Sequence, residues 1–290
     1  MKLGKLGVWS MTDGISATAS AEFAQRIEKW GYSALWMPEG AGRNVLVHAA
    51  WLLGKTSRLI VASGIANIYG RDAVAMVGAQ YCLAEQSNGR FLLGIGVSHA
   101  PTVEGVRGHH YGKPLASMQE YLSTMKRIQY QSLRPSEPPK TVIAALGPKM
   151  LELAARDADG AHPYNVTPDH TALARKILGP NRLLCVEQKV LLETDPIKAR
   201  EAARRSLSIY LPRENYQNSW KRLGFGDDDF SGGGSNRLMD AMVAWGSEDT
   251  IKARLKQHWD AGADHICIQP IPLGDSPTPD ERILEALAPA

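Results

Sequence analysis

A histidine, a carboxylate and a lysine each stand just beyond an apolar run of this sequence. His99 closes "GIGVSH", Glu39 follows "LWMP", and Lys149 sits in "ALGPKM" ahead of a helical pattern. An imidazole exchanges protons near neutral pH, which suits it to general acid or base work. Glu39 can tune such a ring or bind a ligand; it can equally be a solvated loop charge. A helix opening at Gly147 and Pro148 leaves backbone N–H groups unpaired, and such groups attract phosphate. The same stretch serves as well as an ordinary helix start with an exposed lysine.

These residues share a setting. Five apolar runs end in glycine and small polar groups: "WMPEG", "SGIAN", "GIGVSHAP", "ALGPKM" and "HPYN". Glycine lets another molecule approach the backbone and permits positive φ. One such end is an ordinary turn, whereas five on one rim suit a large planar ligand. Trp9, Trp36, Tyr111 and Tyr164 lie near these ends and are candidate pocket walls, though tryptophan is as often plain core. His109 and His110 supply too few ligands for a metal ion, and no H-x-H marks the first strand, so no metal is expected.

The elements that must position these groups alternate along the chain. Apolar runs at 5–10, 34–38, 59–65, 90–96, 141–146, 160–164, 183–192 and 264–271 read as eight strands. Amphipathic stretches at 20–31, 73–85, 115–129, 148–159, 166–179, 195–211 and 247–263 read as helices. Thr167, Pro168 and Gly179 supply a cap, a first-turn proline and a stop. A last helix near the C-terminus carries a capping box from Thr278 to Glu281. Residues 213–245, with aromatics, "DDD" and "SGGGS", break the rhythm as an insertion after strand seven. The pattern predicts an α/β fold, a (β/α)8 TIM barrel forming one domain over residues 1–290. A doubly wound sheet fits less well, because no G-x-G-x-x-G follows the first strand. In such a barrel the site lies at the C-terminal ends of the strands, where the polar breaks fall.

Composition narrows the partners. The net charge of +3 is spread along 290 residues without a basic block, which argues against nucleic acid and anionic membrane. Cys82, Cys185 and Cys267 are scattered and form no C-x-x-C pair, so neither a disulfide framework nor a zinc site is expected. No apolar run reaches the roughly 18 residues of a membrane span. The start lacks signal-peptide features, and a cytoplasmic setting is expected.

The segments "ALWMPEG", "LIVASGIANIYGRDAVAMVGAQYCLAEQSNGRFLLGIGVSH" and "AALGPKMLELAARDADGAHPYNVTP" resemble the bacterial-luciferase-like superfamily over nearly the whole chain. They look most like its branch of coenzyme F420-dependent oxidoreductases. The resemblance implies a barrel, usually a homodimer, with a bulge and a non-prolyl cis peptide at the end of strand three. The matching bond is Gly64–Ile65, and Gly64, Ile65, Ala66 and Asn67 would back the deazaflavin ring. Gly96, Val97 and Ser98 would contact ring and side chain. Ala145, Leu146, Gly147, Pro148, Lys149 and Met150 would hold the phosphate-bearing tail. His99 and Glu39 are the expected catalytic pair, His99 exchanging the substrate's proton and Glu39 orienting it. Departures touch these last two: Gly40 stands where characterised dehydrogenases carry histidine, and His99 where they carry glutamate. An FMN-dependent monooxygenase on the same barrel is the alternative within the superfamily. A catalytically inactive binding barrel is the alternative of another class.

Overall fold

Alternate residues of each apolar run enter a common interior, because successive strand side chains point to opposite faces. The computed structural model describes residues 1–274 and 279–289. Its strands are β1 (Leu6–Trp9), β2 (Ala34–Met37), β3 (Ile60–Ser63), β4 (Ala66–Asn67), β5 (Phe91–Gly96), β6 (Thr141–Ile143), β7 (Gly160–Ala161), β8 (Leu183–Leu191), β9 (Val243–Trp245) and β10 (His265–Pro270). All pair in parallel, and β10 joins β1 on one side and β8 on the other, which closes the ring. β3 and β4 are two pieces of the third barrel strand, so the ring has eight staves. β9 is an extra strand laid along β8, with Lys189 opposite Val243. The expected (β/α)8 barrel is therefore observed.

The helices are α1 (Ala17–Lys29), α2 (Val45–Leu53), α3 (Ala73–Gln86), α4 (Pro114–Arg127), α5 (Pro148–Asp157), α6 (Pro168–Leu178), α7 (Pro196–Leu207), α8 (Glu214–Lys221), α9 (Asn236–Met242), α10 (Glu248–Asp260) and α11 (Glu281–Ala286). Their apolar faces pack outside the staves, where Phe23, Leu35, Val61, Leu93 and Ile143 share one core. A second set fills the barrel: Trp36, Ile60, Ala62, Leu92, Val142, Cys185 and Cys267. None of the described helices is long and apolar enough to cross a membrane.

Several boundaries differ from expectation for local reasons. Strand three does not run through to residue 65 but breaks after Ser63. α2 was not expected: "VLVHAAWLL" is apolar nearly all round and shows no period, while Asn44 caps it by accepting the Leu46 and Val47 N–H groups. α6 begins as expected, with the Thr167 side chain accepting from the His170 N–H. Thr278 lies outside the described residues; Asp280 caps α11 by accepting the Arg282 N–H. The insertion holds α8, a 3₁₀ turn at Asp227–Asp229, α9 and β9, and buries its own core of Trp220, Leu238, Met239 and Met242 against Leu207 and Leu211.

Candidate active site

The third barrel strand is kinked where it reaches the mouth. The Gly64–Ile65 peptide is cis. Three hydrogen bonds hold it from neighbouring elements. Gly64 N–H donates to the Met37 carbonyl at 2.7 Å and Glu39 N–H donates to the Ile65 carbonyl at 3.2 Å. Trp9 Nε1–H donates to the Gly64 carbonyl at 2.9 Å. Ser63 Oγ donates to the Gly94 carbonyl and accepts the Gly94 N–H. Room for the kink comes from β5: a β-carbon on Gly94 would collide with the Ser63 carbonyl, and one on Gly96 would lie 2.7 Å from Ile65 Cδ1. The result is a fixed shelf of backbone at the barrel rim.

The neighbouring strand ends continue it. Ala66 pairs with Ile95 and Asn67 with Gly96, which sets residues 64–67 beside the end of β5, from which 97–98 continue along the rim. Ser98 turns the chain at φ 58°, and its carbonyl accepts from Tyr111 Oη at 3.2 Å. Ala144 N–H donates to the Ile95 carbonyl at 2.9 Å, so residues 145–150 come next around the rim. α5 opens at Pro148 without a side-chain cap at Gly147; Met150 and Leu151 N–H donate to the Gly147 carbonyl at 3.1 Å, which leaves the Lys149 N–H open. Arg222, which caps the C-terminus of α8, brings a guanidinium nitrogen to 3.4 Å from a β-carbon built on Gly147. Arg222 has no carboxylate partner among the described residues. Lys149 is exposed.

Glu39 corrects an expectation. It does not orient His99 but lies beneath the shelf, ion-paired with Arg71 and accepting the Asn67 N–H at 2.8 Å. Its side chain is only 3% exposed, and Arg71 supplies the charge that burial requires. Asn67 spends Oδ1 on the Tyr69 N–H, while its Nδ2 is buried without a partner.

The other half of the mouth is aromatic. His99 packs 6.0 Å from the ring of Tyr216, which belongs to α8. Tyr216 meets Tyr210 at 5.1 Å, Tyr210 meets Tyr164 at 5.5 Å, and Tyr164 meets Trp9 at 5.3 Å. Burial, reinforced by the Arg213 cation, pushes the His99 pKa down to about 4, so the ring is neutral at physiological pH. Behind the tyrosines, Lys189 Nζ sits 4.0 Å above the Tyr164 ring and donates to Glu187 Oε1 at 3.3 Å and Gln269 Oε1 at 3.2 Å. Tyr164 Oη donates to Gln269 Oε1 at 2.8 Å and lies 3.0 Å from Tyr210 Oη. Glu187 Oε2 accepts the Asn165 N–H at 3.0 Å.

Thus the structure gathers Trp9, Tyr164 and His99 on one side of the mouth. Tyr111 stands instead over Ser98 on the glycine side. Trp36 is a correction. It is fully buried one layer down, stacked 4.5 Å from His162 and donating to His265 Nε2 at 3.0 Å, because its inward-facing register on β2 falls below the rim. Glu187, Lys189, Gln269, Tyr210, Tyr216 and Arg222 were not anticipated. One signal was available: "VEQKV" sets two charges two residues apart, hence on one face, in an otherwise apolar strand. A cavity of about 400 Å³ lies at the opposite end of the barrel, between Leu6, Leu255, Trp259 and Leu287. The polar breaks and the buried ionisable cluster are all at the mouth.

A Mycobacterium tuberculosis protein named for coenzyme F420-dependent oxidoreductase activity is 25% identical over 254 residues, covering 73% of this chain and 72% of its own. An F420-dependent secondary alcohol dehydrogenase, solved with an F420–acetone adduct, superposes with a TM-score of 0.77 at 13% identity, covering 99% of this chain and 97% of its own. The oxygenating constituent of a Pseudomonas putida Baeyer-Villiger monooxygenase, solved with FMN, superposes with a TM-score of 0.68 at 15% identity, covering 99% and 97%. The sequence profile of the luciferase-like monooxygenases matches residues 1–265, and the chain belongs to that family.

Proposed function

We propose that this chain is an oxidoreductase that uses coenzyme F420 and transfers hydride between it and a small organic substrate. The carrying observation is the break of the third stave after Ser63, with Ala66–Asn67 beside Ile95–Gly96, continuous along the rim with an uncapped helix start at Gly147. A flat ring with an anionic tail fits that pair of features. The buried, unpartnered Asn67 Nδ2 supplies a donor for the ring's polar edge. The open Lys149 N–H and the positive end of α5, with the Arg222 and Lys149 side chains, supply positive potential for the phosphate.

When bound, the deazaflavin supplies two-electron hydride chemistry at its ring carbon. This chain's residues do the rest. The shelf and Gly96–Ser98 hold the ring plane. Trp9, Tyr164 and Tyr216 wall the substrate side and exclude water. His99, neutral through burial, takes up or returns the substrate's proton. Glu39 acts from beneath by fixing the Asn67 backbone.

The relatives named for F420 support the choice of cofactor. The family description favours a second reading, an FMN-dependent monooxygenase on the same shelf. Titrating the purified protein with each cofactor decides between them. Binding of F420 with weak or no FMN binding is expected; tight FMN binding with indifference to F420 overturns the proposal. A homodimer fits the exposed apolar side chains of Val47 and Trp51 on α2 and Val74 on α3, which sit on the barrel's outer surface. Sedimentation at micromolar concentration tests it.

A further inference from the structure

We propose that the buried Lys189–Glu187 pair sets the hydrogen-bond polarity of the mouth, so that Tyr210 presents an acceptor and the site takes a hydroxyl- or N–H-bearing ligand in preference to a bare carbonyl. This rests on reading the aromatic half of the mouth as the substrate side.

The polarity follows from donor and acceptor counting. An ammonium group has protons and no lone pair. Gln269 must therefore turn its oxygen, not its NH2, toward Lys189, as observed at 3.2 Å. The same oxygen faces Tyr164 Oη at 2.8 Å, and a carbonyl oxygen can only accept, so Tyr164 donates its single proton there. Tyr164's oxygen is then left as an acceptor toward Tyr210, 3.0 Å away, and Tyr210 donates its proton inward. Tyr210 Oη has no other hydrogen-bond partner among the described residues, and what it offers outward is a lone pair. The chain is anchored at its far end. Glu187 is fully buried, neutralises Lys189, and is itself held by the Asn165 N–H. The cation–π contact of Lys189 with Tyr164 keeps the ammonium under the ring. Neutral His99 carries one accepting and one donating ring nitrogen and favours neither polarity, so Tyr210 carries the bias.

Cyclohexanol and cyclohexanone are matched probes of this polarity. Their dissociation constants are measured by ligand-observed NMR on the intact protein, with and without saturating F420. The alcohol is expected to bind roughly fivefold tighter, the worth of one net hydrogen bond. Tyr210→Phe should bring the ratio to about one. The double variant Lys189→Met with Glu187→Gln removes both charges together, and it too should erase the preference while F420 affinity stays within about twofold. A ketone that binds as well as the alcohol, no binding of either, or a preference that survives Tyr210→Phe overturns the proposal. Failure of F420 to bind sinks the cofactor reading separately, since the ratio is also read on cofactor-free protein.

Discussion

Ser63 and Gly94 are bonded twice, with the Ser63 hydroxyl donating to the Gly94 carbonyl at 2.8 Å and accepting the Gly94 N–H at 2.9 Å. The two backbones touch so closely that Gly94 has no space for a side chain. Gly94→Ala should therefore cost about 3 kcal/mol or more in urea unfolding, because rigid backbone rather than a movable side chain stands in the way. Gly96→Ala meets side chains, Ile65 Cδ1 at 2.7 Å and Cγ1 at 2.8 Å with Ala144 Cβ at 3.2 Å, rather than backbone; it should cost less, about 1–2 kcal/mol, yet weaken F420 binding by displacing Ile65. Equal effects of the two variants would contradict this account of the shelf.

Arg71→Met strips the buried Glu39 of its counter-ion. The remaining carboxylate is 3% exposed, and a loss of about 3 kcal/mol is expected. A chemical denaturation midpoint unchanged from wild type would show that water reaches Glu39.

Removing the imidazole tests the chemistry. His99→Gln should lower turnover by roughly 100-fold or more, the usual worth of a positioned acid or base, with F420 affinity nearly intact. Because burial holds His99 near a pKa of about 4, the wild-type rate should fall only on the acid side, as pH approaches that value. Full activity of the variant on any substrate found would end the assignment.

Arg222→Ala should weaken F420 roughly tenfold, as loss of one charge-assisted contact does, and leave the tail-less deazaflavin chromophore unaffected. An equal loss for both compounds would place Arg222 elsewhere than the tail.

Acid should destabilise the fold before carboxylates titrate. Burial pushes His162 and His265 to about 4 and His258 to about 3, against about 6.5 in an unfolded chain. Below pH 6.5 the unfolded state takes up protons that the folded state refuses. The histidine contribution is thus complete above pH 6.5 and is lost progressively as pH falls toward 4. Urea midpoints at pH 7.5, 6 and 5 should decline in that order, and a flat series would refute it.

The barrel was readable because Ile, Val and Leu runs alternate with capped helices, as at Thr167, Pro168 and Gly179. α2 was not, since "VLVHAAWLL" has no polar face to give it a period. The cis bond at Gly64–Ile65 was placed by resemblance; no periodicity announces it. Glu39 was misassigned because its partner Arg71 lies 32 residues away, and linear spacing does not report contacts. Tyr210, Tyr216 and Arg222 sit in or beside the insertion, where no strand rhythm says which side chain turns toward the mouth. Lys189 and Glu187 were in view as strand residues, but the inward register that makes them neighbours of Tyr164 emerges only when β8 pairs with β10.

The excursion between α7 and α10 touches the mouth twice, through Tyr216 beside His99 and through Arg222 beside Gly147. On the proposed function, substrate selection and anchorage of the phosphate-bearing tail would both depend on one contiguous stretch of chain. A chimera that exchanges residues 213–245 with a relative would alter both at once, and any lineage that retools this stretch for a new compound must re-establish its grip on the coenzyme in the same step.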